Sequence, residues 1–216
     1  MHRFVRGLAV LALTSGSAAP LAAQLHDHSY GGLIGLSFSK AGGADIGGES
    51  KWVTGTAVGA FLTLGVSRAL ALEPQILLVE KGIKSEEGGL SATAKLTYIQ
   101  IPVLAKLRFP LGTSGRMTAN LFAGPGIAYR VGCRLKLAEV GTGNDISGGC
   151  DQDGEAENLR SFDSSLIFGA GVDLGRTTVS LRYDMGLSRL DQSSEQNDIK
   201  NRSLILLAGV KVGFNQ

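Results

Sequence analysis

"TTVSLRYDMGLSRL", residues 177–190, decides the fold. Val179, Leu181, Tyr183, Met185 and Leu187 are apolar, and Ser180, Arg182, Asp184, Gly186 and Ser188 stand between them. Period-two alternation of this regularity specifies a β-strand whose two faces meet different surroundings. One face is apolar and the other carries a cation and an anion. In a soluble sheet the apolar face packs inward; in a membrane barrel it meets lipid and the charges turn inside.

Seven sister segments carry the same pattern. Gly32–Ser39 sets Ile34, Leu36 and Phe38 against Gly35, Ser37 and Ser39, and Gly55–Leu64 sets Thr56, Val58, Ala60, Leu62 and Leu64 against Gly55, Ala57, Gly59, Phe61 and Thr63. In Leu70–Lys81, Leu72, Pro74, Ile76 and Leu78 oppose Glu73, Gln75 and Lys81. In Leu96–Phe109 the odd positions from Ile99 to Phe109 oppose Tyr98, Gln100, Lys106 and Arg108. Met117–Val131 presents Leu121, Ala123, Ile127, Tyr129 and Val131 against Asn120, Gly124, Gly126 and Arg130. Ser164–Leu174 and Ser203–Phe214 complete the set, with Asp173 and Lys211 on their polar faces.

The connections alternate in length. Ala41–Glu49, Gly82–Lys95, Cys133–Arg160 and Arg189–Arg202 are long and polar, whereas 65–69, 110–116 and 175–176 are short. Long loops at one end and short turns at the other, with an even strand number, describe an up-and-down barrel. The expectation is an all-β, eight-stranded antiparallel transmembrane barrel.

The ends and the charge agree with an exported chain. Arg3 and Arg6 precede the apolar run Leu8–Leu13, and small residues follow to Ala23, the layout of a signal peptide over 1–23 with the barrel domain over 24–216. The whole chain has 21 basic and 19 acidic residues; removing 1–23 takes two arginines and leaves 19 of each. No basic stripe remains for nucleic acid. The apolar run at Leu204–Val210 is far shorter than the ~20 residues a membrane helix needs, so a membrane reading requires a closed barrel.

The polar faces settle which side is inside. Glu73, Lys106, Arg108, Arg130, Asp173, Arg182, Asp184 and Lys211 supply both signs, and the remaining positions there are often Gly or Ser. They form an expected interior polar network, with Arg182–Asp184 and Lys211–Glu73 read as structural ion pairs. A soluble barrel with these faces would expose eight apolar stripes, well beyond the few hundred Å² that water-facing surfaces tolerate. Lipid removes that conflict. Phe38, Phe109, Tyr129, Tyr183 and Phe214 are the expected members of the interfacial aromatic belts.

"LTYIQIPVLAKLRF" (96–109) resembles the Tyr-Leu-x-Ile-Pro-x-x-x-Lys strand of the PorT-like, OmpX-related outer-membrane β-barrel family, and "LEPQILLVEKG" (72–82) and "FAGPGIAYRV" (122–131) resemble its neighbouring strands. The resemblance implies residence in the bacterial outer membrane and, for some relatives, a role in secretion or gliding machinery.

Candidate chemistry is sparse. A nucleophile needs a base within reach, yet the three histidines are His2, His26 and His28, all before the first strand. His26 near a mature terminus at Gln24 has the position of a copper or nickel ligand; a disordered leader is the simpler reading. "GAGVDLG" (169–175) lacks the spacing and following helix of a phosphate loop. Asp145, Asp151, Asp153, Glu155 and Glu157 cluster in one loop without EF-hand spacing, which reads as a solvated acidic loop. Cys133 and Cys150 are expected to form a disulfide, since an exported chain meets an oxidising compartment. No cofactor is expected. The expected partners are outer-membrane lipid and an envelope protein met through the external loops, with the barrel a monomer. The function reads as structural or interactive and non-enzymatic; a narrow channel or uptake protein is the alternative, and a lipid-modifying enzyme the third.

Overall fold

A computed structural model describes residues 28–42, 52–87, 90–112, 117–139, 145–149, 161–189 and 200–214. These form nine strands: β1 (His28–Gly42), β2 (Val53–Gly65), β3 (Leu70–Glu87), β4 (Leu90–Leu111), β5 (Met117–Glu139), β6 (Asp145–Gly149), β7 (Phe162–Leu174), β8 (Thr177–Arg189) and β9 (Lys200–Phe214). All pairings are antiparallel. β1 pairs with both β2 and β9, β4 with β5, and β5 with β7, so eight strands close a ring. β6 stands outside the ring and adds to the outer half of β5.

The period-two faces fall as their chemistry demands. Thr56, Val58, Ala60 and Leu62 are exposed on β2 while Gly55, Ala57, Phe61 and Thr63 are buried. On β8, Val179, Leu181 and Leu187 are exposed, and Arg182 and Asp184 are each 1% exposed. On β4 the apolar outer stripe runs from Ile99 to Phe109. At roughly 3.3 Å per residue and a tilt of ~40°, that stripe is about 25 Å tall, the thickness of a bilayer's apolar band. Tyr129, Phe162, Phe109, Tyr30 and Trp52 are exposed near its ends. Tyr30, Trp52 and Phe162 therefore join the belts, which the sequence pattern alone had left sparse.

Three expectations need correction. Gly82–Lys95 is not a long loop: β3 and β4 stay paired to Glu87↔Leu90, with only 88 and 89 between them. These are Gly88 and Gly89, a two-residue hairpin signal embedded in a polar stretch. The region from Cys133 is likewise strand as far as Glu139, because β5 pairs there with β4 and β6. The result is a four-stranded sheet, β3–β4–β5–β6, that rises beyond the ring. Finally, the interior is not solely polar, since Leu33, Phe61, Leu77, Val79, Leu104, Phe122, Ile167, Ile205 and Leu207 are buried inside it.

Those large side chains fit because glycines face them from neighbouring strands. A Cβ on Gly31 would stand 2.7 Å from the Phe61 ring, one on Gly59 2.8 Å from Leu77, and one on Gly169 2.6 Å from Phe122. The short turn 175–176 uses Gly175 at φ 58°, a conformation that favours glycine.

Candidate functional site: the filled barrel interior

The polar side chains that matter come from β2, β3, β4, β7 and β8, whose inward positions meet near the barrel axis. Arg182 is the centre. Its Nη1 donates to Gln75 Oε1 at 3.0 Å, its Nη2 donates to Gln100 Oε1 at 2.9 Å, and its Nε lies 3.2 Å from Asp184 Oδ1. Gln100 Nε2 in turn donates to Asp184 Oδ2 at 2.9 Å, closing a small loop of contacts.

The chain continues toward the short-turn end. Gln75 Nε2 donates to Glu73 Oε1 at 2.9 Å, and Glu73 Oε2 accepts from Thr63 Oγ1 at 2.7 Å and from Lys106 Nζ at 2.5 Å. Lys106 and Glu73 are almost fully buried, with side chains 6% and 5% exposed. A buried ion is tolerable only when its charge and its remaining hydrogen-bonding capacity are met. Two cations and two anions joined through two glutamines balance the charge, while Arg182 Nε and Asp184 Oδ1 face each other at 3.2 Å without forming a hydrogen bond.

The other interior charges are placed as follows. Lys211 pairs with Asp173 at 2.6 Å. The Lys211–Glu73 pairing is thus corrected: β9 and β7 flank β8, so their inward side chains meet across it, while Glu73 is taken by Lys106. Arg108 Nη2 donates to the Ser67 carbonyl at 2.6 Å in the β2–β3 turn. Arg130 is inward and half-buried on β5, opposite Tyr98. Lys81 Nζ sits 5.7 Å from the Tyr98 ring centroid near the other end.

Gln75, Gln100 and Thr63 hold the network together. The sequence marked them only as inward polar positions, and nothing in the spacing marked them as linkers. β1 and β3 meet across the intervening β2: Ser37 Oγ donates to the Glu80 carbonyl, and Gly82 N donates to Ser39 Oγ at 2.6 Å. These contacts narrow the barrel at its long-loop end.

What the arrangement leaves open is small. The void bounded by Glu73, Gln75, Lys106, Arg182, Phe61 and Phe122 has a volume of about 10 Å³, space for about one water. His28 opens β1 and so lies on a barrel strand, not before the first strand as expected; no group of three His, Cys, Asp or Glu among the described residues could hold a metal ion. His26, Asp151, Asp153, Glu155, Glu157 and Cys150 lie outside the described residues. Cys133 lies on β5, packed against Leu96, Tyr98 and Ala128.

Comparison with known proteins places this architecture. A family model described as the outer membrane protein beta-barrel domain matches residues 18–192. A search of curated proteins finds no match. Among solved structures, the outer membrane protein OprG from Pseudomonas aeruginosa aligns with a TM-score of 0.52 at 10% identity, over 89% of this chain and 98% of that one. Neisserial surface protein A aligns with a TM-score of 0.45 at 12% identity, over 85% and 97% of the two chains. Ail of Yersinia pestis, in complex with the heparin analogue sucrose octasulfate, gives 0.43 at 14% identity, over 86% and 99%. The OprG likeness is one of fold.

Proposed function

Because the chain belongs to the outer membrane protein beta-barrel domain family and so resides in the bacterial outer membrane, we propose that it is a non-conducting, non-enzymatic barrel whose external end serves recognition. The observation that carries this reading is the interior. A network from Lys106 to Asp184 crosses the barrel, and the void beside it is about 10 Å³. A hydrated ion path needs a continuous polar lumen, and side chains fill an eight-stranded barrel. The β3–β4–β5–β6 sheet standing above the ring supplies a rigid surface for an envelope partner, such as part of a secretion or surface apparatus.

Within this reading the barrel works as a monomer, residues 1–23 are its export signal, and motif 96–109 supports a place in the PorT-like, OmpX-related branch. Cys133 and Cys150 form a disulfide that ties β6 to β5: the register ends with Arg134 opposite Gly149, and the two cysteines are the next residues along. Alkylation of unreduced, denatured protein should leave both thiols unlabelled.

Planar-bilayer recording tests the main proposal. Purified protein should insert without stable openings. Large, long-lived conductance steps would overturn the filled barrel and favour the channel alternative.

A further inference from the structure

The outward stripes end differently at the two rims. At the short-turn end they finish on Tyr30, Leu72, Leu111, Met117 and Thr177, with Arg68 and Arg176 in the turns. At the long-loop end several finish on cations. On β1 the run Ile34, Leu36, Phe38 leads to Lys40, and on β9 the run Val210, Ala208, Leu206, Leu204 leads to Arg202. On β4, Ile99 and Thr97 lead to Lys95; on β5, Tyr129 is followed beyond a register shift by Arg134 and Lys136.

The register sets these cations side by side in two places on the wall. Lys40 pairs directly with Arg202, and Lys95 pairs directly with Arg134. Lys136, opposite Thr93, is the next residue of β5 on the same face as Arg134. Like charges directly opposite in an antiparallel pair are unfavourable, with Cβ atoms ~5 Å apart. Each pair stands just past the apolar stripe of its own two strands, and an anion between the two cations of a pair would relieve their repulsion. Lys40 Nζ also stands 4.9 Å from the centroid of the exposed Trp52 ring, an arrangement suited to a membrane interface. Glu80 is the acid on this wall among the described side chains, and its carboxylate accepts from the Thr56 amide at 3.2 Å and hydroxyl at 3.0 Å. The next row out holds Glu86 and Asp145 by register.

We propose that the Lys40–Arg202 and Lys95–Arg134 pairs bind the phosphate groups of outer-leaflet glycolipids. The occupant follows from depth. A cation facing outward at the end of a lipid-facing stripe meets headgroups, and the phosphorylated sugar of lipid A is the anionic headgroup of an outer leaflet. Clustered Lys and Arg at a membrane surface strengthen such binding by about fivefold per residue. The inference rests on membrane residence and is independent of whether the barrel conducts.

The test uses the full barrel in phosphatidylcholine nanodiscs doped with bisphosphorylated or with dephosphorylated lipid A, reading retained lipid by native mass spectrometry. Wild type should retain the phosphorylated form at least about tenfold better, with the preference collapsing at high salt. K40Q/R202Q and K95Q/R134Q should each weaken retention by about 30-fold at the affected side. Inorganic phosphate at matched concentration should not displace the lipid. Equal retention of the two lipid A forms by wild type would overturn the proposal. So would an unchanged preference in both folded double variants, the result expected if the chain's own acidic loop neutralises the pairs. Displacement by inorganic phosphate would reassign the pairs to free anions and equally refute the proposal. If a variant fails to fold, as judged by heat-modifiable gel mobility, the wild-type comparison decides alone.

Discussion

Part of the barrel interior is filled by shape and part by charge. On β1, β2, β3 and β9, Leu33, Ala57, Phe61, Leu77, Val79, Ile205 and Leu207 form an apolar cluster seated over glycines, and Leu104, Phe122 and Ile167 form another on β4, β5 and β7. On β3, β4 and β8, Glu73, Gln75, Gln100, Lys106, Arg182 and Asp184 are joined by hydrogen bonds and ion pairs. Both kinds of filling occupy the lumen, but they fail differently. An apolar cluster loses stability in proportion to the volume removed, wherever it is removed. A buried network loses most when one member goes and strands the rest.

The largest effect should therefore come from Arg182. Arg182→Met leaves Asp184 buried with an uncompensated charge and takes a donor from both Gln75 and Gln100. The expected loss is about 3–5 kcal/mol, read as a lower urea midpoint for unfolding from lipid vesicles. Arg182→Met/Asp184→Leu should regain a large part, because removing both charges also removes the stranded one. A double variant no better than the single would show that the pair does not act as a unit. On the apolar side, Leu207→Ala should cost about 3 kcal/mol. No second substitution among the network residues should restore it, since Leu207 packs with Leu33, Ile205 and Val79.

These contrasts also mark what was legible in the residues. The lipid face was readable from all eight stripes, because one surrounding medium acts on every outward position. The interior was readable only in part. Phe61 and Phe122 alternate in phase with Thr63 and Asn120, so period two places them inside but says nothing of what they fill. Their sockets, Gly31 and Gly169, lie on other strands and become visible only through the register. The Lys211–Asp173 pairing was hidden for the same reason, being a contact across an intervening strand. The β3–β4 hairpin was missed because Gly82–Lys95 is polar, and a polar stretch above the membrane can still be strand. Gly169→Ala tests the socket account. Its Cβ would stand 2.6 Å from Phe122 and 2.4 Å from the Leu181 carbonyl oxygen. A loss of about 1–3 kcal/mol is expected, with Phe122→Leu relieving only part because the carbonyl cannot move away. A neutral Gly169→Ala would show that the wall yields where the packing says it does not.

The smallest effect should come from the outlying ion pair, which sharpens the rule for the network. Lys211–Asp173 and Lys106–Glu73 have nearly equal separations, 2.6 Å and 2.5 Å. Distance alone would give them equal weight. Their surroundings differ: the Lys211 and Asp173 side chains are 17% and 10% exposed near the short-turn rim, against 6% and 5% for Lys106 and Glu73. Water at the rim can solvate Asp173 once its partner is gone, whereas Glu73 without Lys106 stays in the filled interior. Lys211→Met should therefore cost about 1 kcal/mol or less and lose much of that effect in high salt. Lys106→Met should behave like Arg182→Met, costing several kcal/mol with little dependence on salt. Equal costs for the two lysine variants would mean that access to water, and not pairing geometry, has been misjudged at the rim.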